Sequence, residues 1–248
     1  MQPTVQQNQP PGVPPLELTG ERTLPDVPAE NYWFRRHLAV YEWIAERCAG
    51  LDVVDMACGE GYGADVIARR ARRVTAVDAN PEAHEHARRR YTRPGVRFVR
   101  DLVESYSEPC DVVVFLQTIE HVPDPAAVLR HFKEMCDTVY VSTPNLLTLA
   151  PPGAERSDNP WHLREYRAEE FRSLCASIFD SVEILGLFHA RLLRLHELAL
   201  RVGWDRVHRR LRLTRPFYDR FTPAISAADF KLRPGPLERA LDFVAVLR

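Results

Sequence analysis

Between residues 51 and 142 the sequence alternates strictly between short runs of β-forming residues and helical segments. Strands are predicted at residues 51–56, 74–78, 96–99, 111–116 and 138–142. Helices are predicted between them at 64–72, 81–91 and 125–136, the last two after the N-cap residues Asn80 and Asp124. Because each helix returns the chain to the start of the next strand, the alternation predicts a parallel sheet with right-handed crossovers.

The rest of the chain extends this unit to a Rossmann-like α/β sheet of seven strands with helices on both faces. A helix at 29–49 precedes the sheet, a helix at 168–178 and a strand at 181–188 follow it, and the apolar run at 241–247 is the last strand. A helical, arginine-rich insertion at about 190–236 precedes that strand. Three roles stay open for this insertion: it covers the site, it forms a surface that binds a partner, or it is a solvent-exposed helical addition without either role. Residues 1–20 are rich in Pro and Gln and are predicted to be disordered, which leaves 21–248 as one domain.

Charge and cysteine usage narrow the function classes. The net charge of −1 gives no global basic field for nucleic acid, and no apolar run approaches the roughly 18 residues that span a bilayer. The N-terminus lacks the basic-then-apolar pattern of a secretory signal. Five scattered cysteines with no CxxC pair predict free thiols in the cytoplasm and no zinc site. The oligomeric state is not predicted.

The turn DMACGEGYGAD directly follows the first strand, where open parallel sheets bind ligands. Its glycines are spaced Gly59-x-Gly61-x-Gly63, and Ala64 breaks the G-x-G-x-x-G spacing of a dinucleotide site. Glycines let a ligand approach the backbone closely. Three interpretations stay open at this point: a pyrophosphate site, a site for another adenosine-bearing ligand, or a structural turn.

Two carboxylates at strand ends favour an adenosine. Asp78 closes the second strand, where an acidic residue can accept hydrogen bonds from both ribose hydroxyls. Asp101 follows the third strand and can accept the adenine amino group, or it can serve as a helix cap. NAD sites use the ribose contact as well, so these residues indicate the nucleoside and not the reaction.

The combination VVDMACGEGYGAD, VTAVDAN, RFVRDL and VFLQTIEHVPDP resembles the motifs of class I S-adenosylmethionine-dependent methyltransferases, over residues 32–188. Within that class the chain resembles the ubiquinone-pathway O-methyltransferase group. The stretches LTGERTLPDVPAENYWFRRH, STPN, NPWHLREY and GLFH also resemble actinobacterial methyltransferases of sugars and polysaccharides. The resemblance implies S-adenosyl-L-methionine as the cofactor.

The resemblance also implies a set of cofactor-binding residues. They are Asp55, Ala57, Cys58, Gly59, Gly61, Asp78, Ala79, Asp101, Leu102, Leu116 and Gln117. Asp55 would orient the glycine-rich loop, and Ala57, Gly59 and Gly61 would lie against the methionine part of the cofactor. Ala57 stands where the family usually has glycine, so its methyl group could narrow the pocket.

The strand-end residues receive specific roles from the same resemblance. Asp78 would hold the ribose, while Asp101 and the backbone of Leu102 would contact the adenine. Leu116 and Gln117, which end the fourth strand, would flank the sulfonium.

A hydroxyl acceptor must lose its proton during methyl transfer, and histidine titrates near neutrality. His121, with Glu120 orienting it, is the leading candidate for the general base. His162, in the loop after the fifth strand, is the second candidate. Each histidine could instead make only structural hydrogen bonds.

A bound metal is the rival to a histidine base. In the ubiquinone-pathway group that the chain resembles, the residues after the fourth strand read E-x-x-E-H, and their carboxylates can hold Mg²⁺. Here the first position is Gln117, whose neutral amide is a poorer ligand for a hard dication. The sequence therefore predicts no metal, with Mg²⁺ kept as the alternative.

Several residues could bind the acceptor. Asn145 could hydrogen-bond a sugar hydroxyl or form a turn, and Trp33, Trp161 and Tyr166 could stack on a ring or belong to the core. Arg36 is expected to face solvent, with the cofactor carboxylate as the alternative.

The leading function is O-methylation of a sugar or saccharide hydroxyl. The alternatives are O-methylation of a quinone or phenol, N-methylation of an amino sugar, a cofactor-binding regulatory subunit that does not turn over, and an NAD oxidoreductase. The glycine spacing disfavours the oxidoreductase.

Overall fold

A computed structural model describes residues 4–20, 22–151 and 153–248. Its eight strands form one sheet: β1 Asp52–Met56, β2 Arg73–Val77, β3 Val96–Val99, β4 Val112–Leu116, β5 Thr138–Pro144, β6 Val182–His189, β7 Phe230–Arg233 and β8 Asp242–Leu247. The α-helices in the described residues are α1 Asn31–Ala45, α2 Tyr62–Ile67, α3 Pro81–Arg90, α4 Pro125–Met135, α5 Leu146–Leu149, α6 Ala168–Ala176, α7 Arg191–Arg201, α8 Trp204–Arg210 and α9 Thr214–Ala224.

The strand order is β3-β2-β1-β4-β5-β8-β6-β7. Strands β3, β2, β1, β4 and β5 are parallel, whereas β8 runs antiparallel to both β5 and β6. The chain builds outward from β1 to β3 and then returns to place β4 on the other side of β1. This reversal opens a crevice at the carboxyl ends of β1 and β4, the usual ligand position in such sheets.

The core lies on both faces of the sheet, which explains why its strands are continuous apolar runs. On one face Val53 packs in a cluster with Ile44 of α1, and on the other Val54 packs in a cluster with Phe132 of α4. Successive strand residues therefore point to opposite layers, as the two-residue period of a strand requires.

The Rossmann-like α/β fold is confirmed, with one strand more than predicted. The extra strand, β7, lies at the edge of the sheet and pairs antiparallel with β6. The insertion at about 190–236 is therefore not purely helical. The insertion begins with two helices, α7 and α8, which are separated at Gly203, whose φ is +90°. A third helix, α9, follows them.

The prediction of a disordered tail at 1–20 is wrong for residues 4–20, and residues 1–3 lie outside the described residues. Gln6 and Leu16 are buried, and the Gln6 amide nitrogen donates to the Leu16 carbonyl oxygen at 3.0 Å. The Gln6 side chain donates to Glu60 Oε1 at 3.0 Å. These contacts hold the segment against the glycine-rich loop.

Arg36 is also buried, contrary to the expectation that it faces solvent. Its Nε donates to Asp242 Oδ2 at 2.7 Å, and its Nη2 donates to Asp242 Oδ1 at 2.5 Å. The pair joins α1 to β8, and it occupies the guanidinium that could have reached the cofactor carboxylate. Burial of such a pair is tolerated only when both charges stay together.

Candidate functional site

A cleft of about 1080 Å³ opens at the carboxyl ends of the central strands. Its walls come from α1, the loops after β1, β2, β3 and β4, and the loop before α6. The sequence-predicted residues that line it are Ala57, Cys58, Gly59, Asp78, Ala79, Asp101, Leu102, Leu116, Gln117, Glu120, His121 and His162. Twelve of the site residues predicted from the sequence therefore line one cavity.

The glycines of the loop after β1 face different surroundings. A Cβ on Gly59 would meet nothing within 4 Å, so this position leaves its space to the cleft. A Cβ on Gly61 would lie 2.8 Å from that of Ala87, and one on Gly63 would lie 2.2 Å from the Tyr41 ring. Gly61 and Gly63 therefore allow α3 and α1 to pack against the loop, and Gly61 is not among the residues that line the cleft.

Ala57 has a φ of +54°, in the left-handed region that favours glycine. The family resemblance places glycine here, and the backbone conformation gives the physical reason. The alanine is accommodated at a cost of about 1–2 kcal/mol in backbone strain.

Asp78 holds the loop as well as facing the cleft. Its Oδ2 accepts a hydrogen bond from the Gly59 N–H at 2.7 Å, and its Oδ1 accepts one from the Asn80 N–H at 2.9 Å. Each carboxylate oxygen has a second lone pair, so the half-buried side chain can still accept from a ligand diol.

The residues after β3 are more exposed. Asp101 is half-buried and Leu102 is exposed on the rim of the cleft. The Leu102 N–H donates to Asp101 Oδ1 at 2.8 Å. This hydrogen bond orients the Asp101 carboxylate, and the adenine contact of the Leu102 backbone stays a prediction.

Asp55 lies beneath the cleft and is completely buried. The Tyr41 hydroxyl donates to its Oδ1 at 3.3 Å, while Oδ2 has no hydrogen-bond partner. Burial, with a smaller contribution from the nearby Asp78 charge, raises the pKa of Asp55 to about 8. Asp55 supports the loop from below and does not line the cavity.

Gln117 directly follows β4 and has a backbone in the left-handed region, with a φ of +51°. Its side-chain Nε2 donates to the Ser142 hydroxyl at 3.0 Å, and its backbone N–H donates to the Ser142 carbonyl at 3.1 Å. Ser142 of β5 therefore fixes this strained residue in the wall of the cleft.

Glu120, His121 and His162 form a cluster beside Gln117, with ligand atoms within 4.8 Å of one another. The two imidazole rings are 5.0 Å apart between centroids and meet edge to face. The Leu163 and Arg164 N–H groups donate to the Glu120 carbonyl at 2.9 and 3.1 Å, which fastens the His162 loop to the end of β4.

Both histidines of the cluster are held through Nδ1. His121 Nδ1 lies 2.8 Å from the Trp161 carbonyl oxygen, and His162 Nδ1 lies 2.7 Å from Glu165 Oε1. An Nδ1–H that donates to an acceptor leaves Nε2 unprotonated. His162 Nε2 accepts from the Asn159 side-chain amide at 3.0 Å.

Glu120 is almost fully buried, and its Oε2 has no hydrogen-bond partner. Burial raises its pKa to about 8. The carboxyl group is therefore largely protonated at neutral pH unless a cation lies next to it.

Sequence reasoning missed His37 and Glu165. His37 lies on α1 between Trp33 and Tyr41, and the four-residue spacing points all three side chains into the cleft. Burial lowers the pKa of His37 to about 4. The signals that could have found the two residues are this spacing and the H-x-x-E pattern after Trp161.

Of the residues predicted to bind the methyl acceptor, two line the cleft and two are buried. Trp33 and Trp161 line the cleft and are 37% and 48% exposed. Tyr166 is buried in the core. Asn145 is buried too: its Nδ2 donates to the Ala240 carbonyl at 2.8 Å and its Oδ1 caps α5, so it is occupied by structural bonds.

An α/β sheet with a strand-order reversal, a glycine-rich loop open to the cleft and a carboxylate at the end of β2 defines a Rossmann-like nucleoside-binding protein. A family profile described as a methyltransferase domain matches residues 30–198. The chain belongs to the S-adenosylmethionine-dependent methyltransferases.

Individual relatives support this assignment. A probable S-adenosylmethionine-dependent methyltransferase of Mycolicibacterium smegmatis is 39% identical over 250 residues, covering 93% of this chain and 94% of its own. Another of Mycobacterium tuberculosis is 45% identical over 186 residues, covering 72% and 67%. A ubiquinone biosynthesis O-methyltransferase of Xylella fastidiosa is 32% identical over 129 residues, covering 46% and 52%.

The solved structure of a possible histamine N-methyltransferase of Thermotoga maritima shares the fold. Its TM-score is 0.58 at 15% identity, with 88% of this chain and 93% of that chain covered. The family profile and the mycobacterial relatives show that the protein is an S-adenosylmethionine-dependent methyltransferase, as the motifs predicted.

Proposed function

We propose that this methyltransferase transfers a methyl group from S-adenosylmethionine to a hydroxyl group of a saccharide in the cytoplasm. The observation that carries the proposal is the pair of exposed indoles, Trp33 and Trp161, in the wall of the cleft that also contains His121. Aromatic faces of this kind bind the apolar faces of sugar rings. Five free cysteines fit a reducing compartment.

In this proposal the ribose hydroxyls donate to Asp78, and Asp101 accepts the adenine amino group. Ala57, Cys58 and Gly59 line the methionine part, with Asp55 supporting their loop. Ala79 lies beside Asp78 on the cleft wall.

Leu116 and Gln117 flank the sulfonium in the same proposal. The strained backbone of Gln117, fixed by Ser142, supports this assignment because strain is commonly held at functional sites.

His121 Nε2 accepts the proton of the attacking hydroxyl. A C–O bond forms as the C–S bond breaks, and S-adenosylhomocysteine leaves as a neutral thioether. The Trp161 carbonyl holds Nδ1 and so directs Nε2 toward the acceptor. The buried carboxyl group of Glu120 ionises when a cation lies beside it and so stabilises the imidazolium that forms. The His162–Glu165 pair is the second candidate for the base.

The test uses methyl-labelled S-adenosylmethionine with methyl glycosides and oligosaccharides as acceptors, and with catechol and glucosamine as competing classes. We expect label in the saccharides, and turnover about 10²–10⁴-fold lower in His121→Ala with S-adenosylhomocysteine binding unchanged. His84→Ala, on α3, is the matched control. Trp33→Ala and Trp161→Ala should raise KM for the saccharide.

Label only in catechol would favour a phenol or quinone substrate, and label only in glucosamine would favour N-methylation. Cofactor binding with no transfer to any class would favour a regulatory subunit.

A metal-assisted version of the same transfer is the second candidate, and one observation favours it. Glu120, His121 and His162 supply one oxygen and two nitrogens, and both Nδ1 atoms face fixed acceptors, as is usual for metal-ligating histidines. Metal binding through His162 Nε2 would require the Asn159 amide, which now donates to it, to move away. Such a set suits Mn²⁺, Fe²⁺ or Zn²⁺ better than Mg²⁺.

Metal analysis of the purified protein, with activity after chelation and after addition of each ion, separates the two versions. Activity that survives chelation but is lost in His121→Ala supports the histidine base. Activity that chelation removes and one ion restores supports the metal.

A further inference from the structure

The insertion that follows β6 exposes an unusual number of apolar and cationic side chains together. We name the exposed face of residues 191–215 the arginine–leucine surface. Its exposed large apolar residues are Leu195, Leu198, Leu200, Val202, Trp204, Val207, Leu211 and Leu213. Its exposed arginines are Arg191, Arg194, Arg201, Arg206, Arg209, Arg210, Arg212 and Arg215.

The apolar residues form stripes along the helices. On α7, Leu195 and Leu198 are three residues apart, and Val202 follows four residues later, so the three share one side. Leu195 is 67% exposed and Val202 is 87% exposed. Val207 of α8 and Leu211, which directly follows α8, repeat the four-residue spacing. An arginine directly precedes each of these residues except Leu198.

This exposure is not caused by an unfolded insertion, because the three helices have their own interior. Phe217 stacks on His196, His208 and Phe221, with ring centroids 5.7, 5.4 and 5.2 Å apart. Leu193 is buried on the opposite side of α7. The outward residues therefore remain exposed in a folded insertion.

The charge of the segment is strongly positive. Residues 191–215 contain eight arginines and only two carboxylates, Glu197 and Asp205, which gives a charge of +6. Since the whole chain carries −1, the remainder carries −7. A partner for this surface must therefore be anionic and must also offer apolar contact.

We propose that the arginine–leucine surface binds the surface of an anionic lipid bilayer. Arginines would contact lipid phosphates while leucine, valine and tryptophan side chains enter the boundary between headgroups and acyl chains. No described helix is long and apolar enough to cross a membrane, so the contact is peripheral. A second copy bound symmetrically would place +6 against +6, which opposes self-association through this surface.

The arginine–leucine surface begins at the same edge of the sheet as the cleft. Strands β5 and β6 both run antiparallel to β8, so they are parallel to each other, and β6 ends at the same edge of the sheet as the cleft. Residue Arg191 begins α7 directly after this edge. The enzyme would thus hold its cleft edge near the bilayer.

The experiment is flotation of the full chain with phosphatidylcholine vesicles that contain or lack about 30% phosphatidylglycerol. We expect binding to the anionic vesicles that is at least tenfold stronger than to neutral ones and that weakens in about 0.5 M NaCl. Combined Arg194→Gln, Arg206→Gln and Arg210→Gln should lower the partition constant roughly 100-fold, because each cation near an anionic leaflet contributes about fivefold.

Two further variants control the result. Leu195→Gln with Leu198→Gln removes apolar contact while keeping the charge, and it should also weaken binding. A second triple variant removes the same charge from exposed arginines elsewhere: Arg69→Gln, Arg88→Gln and Arg130→Gln. It should bind as the unmodified chain does.

Equal binding to neutral and anionic vesicles would overturn the proposal, as would equal binding by the two triple variants. Sedimentation showing a dimer that Leu195→Gln with Leu198→Gln dissociates would assign the surface to a second copy. Tighter binding to a DNA or RNA oligonucleotide than to the vesicles at the same salt would assign it to nucleic acid.

Discussion

Replacing Asp78 by asparagine tests the cofactor site most directly, because this carboxylate has two separable tasks. In the structure its two oxygens accept the Gly59 and Asn80 N–H groups at 2.7 and 2.9 Å. An amide keeps the shape but has only one acceptor atom. Whichever way it is turned, its NH₂ group faces one of the two backbone N–H donors.

The loss can be estimated in two parts. Without cofactor, one hydrogen bond to a charged acceptor disappears, which should lower the free energy of unfolding by about 1.5–3 kcal/mol. In a chain of this size that corresponds to a fall in Tm of about 2–4 °C per kcal/mol. If Asp78 also holds the ribose, the affinity for S-adenosylhomocysteine should fall by about 2 kcal/mol more, or roughly 30-fold.

Calorimetric titration with S-adenosylhomocysteine and thermal unfolding without ligand measure the two parts separately. Asp124→Asn is the matched control, because Asp124 Oδ1 also accepts a backbone N–H, that of Ala127 at 2.9 Å, and asparagine is an equally good N-cap. A lower Tm with unchanged affinity would refute the ribose contact and leave Asp78 as a support of the loop. No change in either quantity would refute the described geometry.

Three other perturbations test the surroundings of the cleft. Gly63→Ala should lower the free energy of unfolding by about 3 kcal/mol in chemical denaturation, because its Cβ would lie 2.2 Å from the Tyr41 ring; a loss that Tyr41→Leu does not reduce would contradict this clash. Glu120→Gln should stabilise the protein increasingly between pH 5 and 9, because burial raises the folded pKa to about 8 and the native carboxyl therefore loses stability as pH rises through that value; a stability difference that is flat with pH would disprove the shift. Asp242→Asn should cost about 3–5 kcal/mol by leaving Arg36 buried without its counter-charge, and a measured loss below about 1 kcal/mol would show that the pair is dispensable.

The parallel part of the fold was predictable because its strands are buried on both sides and read as apolar runs. The edge strand β7 was not predictable. It has only four residues, Lys231 is exposed, and nothing in the sequence of β7 distinguishes it from a loop. The break between α7 and α8 has a visible signal in Gly203. Its left-handed backbone ends the helix, but a lone glycine does not by itself require that conformation.

The N-terminal segment shows why composition was misleading. Its Pro and Gln content is typical of disorder, yet Gln6 donates to Glu60, which is 54 residues away in the sequence. The His86 ring is hydrogen-bonded to the same carboxylate at 2.9 Å and to the Pro14 carbonyl at 2.6 Å. A few specific long-range hydrogen bonds order this segment, and such pairs are not encoded in local composition.

For the site, the residues at strand ends were predictable, because the carboxyl ends of parallel strands meet at one edge. The contributions of the loop that carries His162, between α5 and α6, were not predictable. The position of His162 beside His121 depends on Leu163 and Arg164 bonding to the Glu120 carbonyl, a contact between segments more than forty residues apart. The only sequence signal for Glu165, the partner of His162, is the H-x-x-E spacing, and the structure shows that the two side chains are hydrogen-bonded.

The position of β8 has a consequence for how the protein is made. This strand follows every other described strand in the chain, yet it lies between β5 and β6. While the nascent polypeptide leaves the ribosome, β5 and β6 both present unpaired backbone edges until β8 emerges, and exposed edges of this kind invite intermolecular aggregation. The sheet therefore closes in one late step, and chaperone protection should matter most during synthesis of the insertion, before β8 arrives.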